Sequence, residues 1–168
     1  MKIVDAYNAS INPCIDCRYC WKKDGCAQMD DMQEIYDYIE DCDNVVIASP
    51  IYFSELSGEL LSVGSRLQMY FAAEYFRKNT IITKKKYGAV ILCGGGDGSP
   101  VKAEDTALCL LRHMKTVSVG HVYSLQTNTL SELGDESALI EIRELAAKLN
   151  CLYKGSMSIS KPESAGLE

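Results

Sequence analysis

Val45-Val46-Ile47-Ala48-Ser49-Pro50-Ile51-Tyr52-Phe53 is the stretch whose reading decides the fold. Four apolar residues of strand length run without polar interruption and stop at Ser49-Pro50. Such a run suits a parallel strand covered by helices on both faces. Downstream, Leu60, Leu61, Leu67 and Phe71 mark the inward side of a helix predicted over about residues 57 to 76. A second apolar run, Ala89-Val90-Ile91-Leu92, ends at Gly94-Gly95-Gly96-Asp97-Gly98. Ser99-Pro100 reads as the cap and first residue of the next helix, since proline has no amide to leave unbonded there. Ala103, Ala107, Leu111 and Met114 form its inner stripe. Val117, Val119 and Val122 suggest a further strand, and Asp135 opens a last amphipathic helix through Leu139, Ile142, Leu145 and Leu149. Upstream, Asp30 and Gln33 have capping-box spacing. Met32, Ile35, Tyr36 and Ile39 follow on one helical face, and Ile3-Val4 is a short strand candidate. Strand and helix patterns alternating along the chain predict an α/β fold with a mostly parallel sheet. One domain is expected over residues 1–151, with a polar tail over 152–168.

The 168 residues are 47% hydrophobic and 24% charged, enough apolar material for a core. No stretch approaches the ~20 apolar residues that span a bilayer. Met1-Lys2-Ile3-Val4-Asp5 lacks the basic and long apolar regions of a signal peptide, so a cytoplasmic protein with no membrane partner is expected. The net charge of −6 argues against a nucleic-acid partner. Lys84-Lys85-Lys86, the one basic run, reads as a solvated loop.

Eight cysteines are the unusual feature. Cys14, Cys17, Cys20 and Cys26 lie close together in a segment spanning residues 13–29, spaced Cys-x2-Cys-x2-Cys-x5-Cys. Two-residue gaps let one tight loop aim successive thiolates at a common point. An iron–sulfur cluster needs four thiolates, and compact runs supply them. Zinc also takes four cysteines, although its sites more often pair two Cys-x2-Cys knuckles at a greater separation. Unligated thiols, local disulfides and remnants of a lost site are the other readings. Cys42, Cys93, Cys109 and Cys151 fall on or beside apolar runs and read as small core residues.

Ligands of open parallel sheets bind beyond the carboxyl ends of the strands. Two loops fall there. Ser49, Pro50, Ile51, Tyr52 and Phe53 offer backbone amides and an aromatic ring able to lie on a flat ligand; a plain turn with core aromatics would use the same residues. Gly94, Gly95, Gly96, Asp97 and Gly98 permit close backbone approach, as any sharp strand-to-helix turn also requires. His113 reads as a helix-surface residue, and His121 has no carboxylate partner visible in the sequence. No residue resembles an activated nucleophile.

Pro13-Cys14-x2-Cys17-x2-Cys20-x5-Cys26, then Asp30-Asp31-Met32, Ala48-Ser49-Pro50-Ile51-Tyr52-Phe53, Gly58 through Arg66 and Cys93 through Gly98, in that order, resemble the flavodoxin-like NAD(P)H-dependent FMN reductase superfamily, in particular its iron–sulfur flavoprotein branch. The resemblance covers about residues 1 to 150. It implies a three-layer αβα sandwich with FMN at the strand ends. Ser49 to Phe53 would wrap the isoalloxazine and ribityl region with Tyr52 near the ring, and Gly94 to Gly98 would meet the ring's polar edge. Cys14, Cys17, Cys20 and Cys26 match the ligands of the branch's [4Fe-4S] cluster. NAD(P)H or a small redox carrier would be the electron donor.

The chain departs from that pattern at its start. The opening strand, Ser/Thr/Gly-rich phosphate loop and first helix of the family have no match, and Ser10 and Asn12 do not replace them. The fold is therefore expected to be N-terminally shortened. Either Ile3-Val4 moves into the vacancy, or another chain fills it, or the native protein starts upstream of Met1. FMN affinity is expected to be weakened, at roughly 1.5–3 kcal/mol for each charge-assisted hydrogen bond lost. A sheet short of a strand exposes an edge, so a homo-oligomer is expected. Two other functions fit the same residues: a cluster-free NAD(P)H-dependent FMN or quinone reductase, and a zinc-bound or metal-free interaction module.

Overall fold

In the computed structural model, which describes residues 1–129 and 134–159, three strands form one parallel sheet: β1 (Asn44–Pro50), β2 (Lys86–Cys93) and β3 (Thr116–Ser124), in the order β1-β2-β3. The helices are α1 (Met32–Asp41), α2 (Gly58–Ser65), α3 (Gln68–Arg77), α4 (Val101–His113) and α5 (Glu136–Ile159), with a 3-10 turn at Tyr19–Trp21. The protein has a flavodoxin-like α/β architecture. No helix among the described residues is long and apolar enough to cross a membrane.

The main core lies on one side of the sheet. Ile47, Val90 and Leu92 meet Met32, Ile35, Tyr36 and Ile39 of α1 together with Ala103, Ala107 and Leu111 of α4. Both helical stripes read from their spacing are buried as expected. On the opposite side α5 packs over β3 and β2. Its cover stops short of β1: across one row of the register Val122 is buried, Ile91 half-buried and Ala48 exposed. Val46, two residues earlier on that face of β1, is 48% exposed. The expected burial of Val45–Ala48 on both faces is therefore corrected, because no described element covers β1 there.

Ile3-Val4 forms no strand and does not enter the vacancy beside β1; Ile3 is 74% exposed. The single helix expected over residues 57 to 76 is two helices. Between them Leu67 N–H bonds Gly64 O at 3.0 Å and Met69 N–H bonds Arg66 O at 3.2 Å, the short-range bonds of a tightened turn. Ser65 Oγ also donates to Ser62 O, a back-bond that weakens the helix at that point. The break turns Phe71 outward and buries Met69, Tyr70, Ala72 and Ala73 instead.

Smaller corrections follow from competing partners. Asp30 Oδ1 accepts Met32 N–H at 3.2 Å, but Gln33 donates its side-chain amide to Gln28 O, so the reciprocal half of the capping box is not made. Helix α4 begins at Val101, with Pro100 rather than Ser99 at its cap position. Asp135 does cap α5, its Oδ1 accepting Ala138 N–H at 3.0 Å, whereas Leu139 is exposed. Helix α5 runs on through Ile159, so the tail expected from residue 152 starts inside it; residues 160–168 lie outside the described residues. Cys42 and Cys109 are half-buried, and Cys93 and Cys151 are exposed; none of the four is a core residue.

Lys86 is fully buried at the start of β2 rather than solvated, with Nζ donating to Met114 O at 3.2 Å. Burial outweighs the opposing pull of Cys42 and holds its ammonium below the usual lysine value. Because the folded value is depressed, the charged form is penalised on folding, and stability rises as pH rises through that value. Lys86→Met keeps the stem and removes the buried charge, so urea denaturation at pH 7 should show a gain of about 1–3 kcal/mol.

Candidate functional site

The parallel register aligns the strand ends. Pro50 pairs with Cys93, and Cys93 with Ser124, so the chain leaves all three strands side by side. Ile51 N–H donates to Cys93 O at 2.7 Å and Gly94 N–H to Ser124 O at 3.0 Å, stitching the loops to one another. Both predicted strand-end loops are thus neighbours. Phe53 and Ser54 have left-handed φ values of 53° and 62°, and around them Tyr52 and Glu55 exchange two backbone hydrogen bonds of 2.9 and 3.0 Å. This tight turn lifts Tyr52, 61% exposed, and the fully exposed Phe53 into solvent; they are not core aromatics. Ser49 Oγ accepts Ser57 N–H at 3.0 Å, and Ser57 Oγ caps α2 through Leu60 N–H. The loop therefore feeds directly into α2.

The glycine loop is required by close packing. A side chain at Gly98 would stand 2.6 Å from Leu125 on a backbone of φ +63°, and one at Gly95 would collide with Asn128. Gly94 lies against Ile51. Gly95, Gly96 and Asp97 are exposed. A third loop, absent from the sequence reading, completes the rim: Gln126 N–H bonds Gly96 O at 2.8 Å and Thr127 N–H bonds Gly94 O at 3.2 Å. Its polar composition resembles any surface turn, so the sequence carried no signal for it.

The cysteine segment sits at the far end of α2. Left-handed Asp16 and Arg18 on either side of Cys17, with Gly25 before Cys26, turn the chain repeatedly. As a result Cys14, Cys17, Cys20 and Cys26 line a single cavity together with Trp21, Met69 and Arg66. Cys14 and Cys17 are exposed, Cys20 and Cys26 half-buried. Burial pushes the Cys20 thiol up; a hydrogen bond from its own backbone opposes this, and the nearby Cys26, Cys14 and Cys17 add to the rise. Among the described residues no three Cys, His, Asp or Glu side chains are drawn in tightly enough to hold a single ion.

Packing fixes this segment to α2 and α3. Trp21 stacks on Phe76 with ring centroids 4.0 Å apart, Arg77 Nε donates to Cys20 O at 3.1 Å, and Cys14 N–H donates to Ser65 Oγ at 2.9 Å. Arg66 is the main clamp. Its side chain is fully buried, with Nη1 donating to Asp30 Oδ2 at 2.6 Å and to Asn12 O at 2.9 Å, and Nη2 to Gln28 O at 3.1 Å. Arg66 entered the sequence reading only as the last residue of the Gly58 through Arg66 segment. An arginine beside Leu67, just before the buried Met69 and Tyr70, was the available signal.

His121 does have a carboxylate partner: its Nδ1 lies 2.6 Å from Glu104 Oε1, while Tyr123 donates to the other oxygen. Register alone joins these residues, since α4 crosses back over β3.

A model of the NADPH-dependent FMN reductase family matches residues 1–129. The chain belongs to that family. Among curated relatives, this family member is 30% identical over 139 residues to an iron–sulfur flavoprotein of Archaeoglobus fulgidus, covering 83% of this chain and 59% of that protein. It is 35% identical over 86 residues to an iron–sulfur flavoprotein of Methanocaldococcus jannaschii, covering 51% of this chain and 41% of that protein. The chain thus spans about half the length of the curated relatives it matches. Two solved structures share the fold. RosB, at 14% identity, gives a TM-score of 0.54 over 84% of this chain and 65% of its own. A flavone reductase, at 17% identity, gives 0.52 over 87% of this chain and 47% of its own.

Proposed function

We propose that this FMN reductase family member is a flavin-dependent oxidoreductase that binds FMN across the strand-end loops and a [4Fe-4S] cluster in the four-cysteine cavity. The observation that carries the reading is that Cys14, Cys17, Cys20 and Cys26 all line one cavity, with a buried arginine among its walls. Four thiolates in one compact run are the ligand set of an iron–sulfur cluster, and zinc at the same four is the alternative. The names of the relatives, iron–sulfur flavoproteins, agree with this assignment.

A bound flavin would exchange one or two electrons and a cluster one, connecting two-electron chemistry to one-electron carriers. The chain's own residues prepare both places. Tyr52 and Phe53 stand clear of the core at the edge of the strand-end surface, and Gly95 and Gly96 leave backbone unshielded by side chains. Helix α2 links that surface to the cavity, with Ser57 at one end and Ser65-Arg66 at the other. Eight helical residues span about 12 Å. NAD(P)H or a small redox carrier supplies the electrons. Among the described residues β1 is bare on one face and unpaired along one edge, which favours a homo-oligomer, since unpaired edges seek partners.

Anaerobic reconstitution of the chain with FMN, ferrous iron and sulfide, followed by desalting, tests the proposal. Flavin bands with broad cluster absorption, and iron and sulfide in equal amounts, are the expected result. A protein that stays colourless overturns it, and zinc at one per chain without sulfide would assign the cavity to a structural ion instead.

A further inference from the structure

Arg66 has one guanidinium nitrogen without a partner. Its Nη1 and Nη2 are occupied by Asp30, Asn12 and Gln28, but Nε is buried and bonds to nothing among the described residues. A buried unpaired N–H on a charged group is costly enough to need an explanation. The same side chain lines the cavity shared by the four cysteines, and its charge interacts with Cys26. Its two occupied nitrogens grip the cysteine segment on both sides, at Asn12 before Cys14 and at Gln28 and Asp30 after Cys26. The clamp and the orphan donor belong to one guanidinium, and Asp30 already balances its formal charge. The orphan N–H thus belongs to a side chain that lines the cavity.

We infer that Arg66 is the positioning residue of the cysteine centre: its Nη groups close the loop, and its Nε–H donates to sulfur of the group held there. This inference rests on the cluster reading above. Hydrogen bonds to the sulfurs of a cluster stabilise the extra negative charge of the reduced form and so raise its potential. Arg66→Lys keeps the cation and can keep the bond to Asp30, but has no second nitrogen to serve as the Nε donor. Asp30→Asn keeps that donor and removes a negative charge nearby.

The test is an EPR-monitored redox titration of the reconstituted wild type, R66K and D30N, with iron and sulfide measured on each sample. For R66K the reduced-to-oxidised ratio at the wild-type midpoint should fall about tenfold, a shift of about 59 mV to lower potential for a one-electron couple. For D30N the midpoint should stay or rise. Loosening of the fold would move both variants the same way, so a common downward shift overturns the inference, as does an R66K midpoint equal to wild type at equal iron content. Wild type that takes up no iron and sulfide overturns the cluster reading and this inference with it. Should R66K fail to fold, 15N-arginine-labelled protein carrying the R18K and R77K substitutions, which remove the other arginines beside the cysteine segment, decides the question by pulsed EPR. A 15N coupling to the reduced centre supports the donor, and its absence overturns it.

Discussion

Serine in place of Cys20 should strip iron and sulfide from the reconstituted protein while FMN binding survives. Cys20 sits in the 3-10 turn, half-buried, with the other three thiols close enough to affect its ionisation. A hydroxyl is shorter and harder than a thiolate and does not ionise at neutral pH, so one of the four proposed cluster bonds would be lost. Even the loss of a residue that only supports a metal ligand costs 10–100-fold in affinity, so removal of a ligand should cost at least about tenfold. The strand-end loops belong to different elements, so the flavin binding proposed there should be kept. Iron, sulfide and flavin assays on the same sample check both halves. Wild-type iron content in C20S would remove Cys20 from the ligand set.

Asp30→Ala should destabilise the protein by about 3–5 kcal/mol, because it leaves Arg66 as an uncompensated buried charge. For a domain of this size that corresponds to a fall of about 6–20 °C in the thermal midpoint. The pH dependence is distinctive. Burial alone would raise the Asp30 carboxyl, but the hydrogen bond from Arg66 and the backbone N–H groups of Asn12 and Met32 outweigh it and hold the group below the ordinary aspartate value. A depressed folded value means that the stabilisation is complete above the unfolded value of about 3.9 and is lost as pH falls through the folded one. Melting curves of wild type and D30N should therefore differ at pH 6 and converge in acid. A constant gap down to pH 2 would show that the carboxylate charge is not what the clamp uses.

Much of the fold was legible because it depends on short-range pattern. Met32, Ile35, Tyr36 and Ile39 share a face by helical spacing, and Ala103, Ala107, Leu111 and Met114 do the same, so both stripes are buried. The loops at Ser49–Phe53 and Gly94–Gly98 could be placed at strand ends for the same reason, since an apolar run stops where the backbone must turn. Phe71 was misplaced because a helix break at Gly64 to Leu67 shifts the phase, and that break comes from a hydroxyl back-bond and short-range turns rather than from a proline. Lys86 was misplaced because a run of three lysines looks solvated until the strand register buries its last member.

By itself the sequence determined the alternation of strands and helices, the identity of the four clustered thiols and the positions of the two strand-end loops. All three are local: periodicity, spacing and turn chemistry act over a few residues. The tertiary structure alone decided that the loops lie side by side, that no described element covers one face of β1, and that Arg66 closes the cysteine segment. Those depend on register, on which faces find cover, and on a guanidinium that reaches partners 36 to 54 positions away along the chain. No spacing rule reaches that far, because such contacts exist only once the helices have packed.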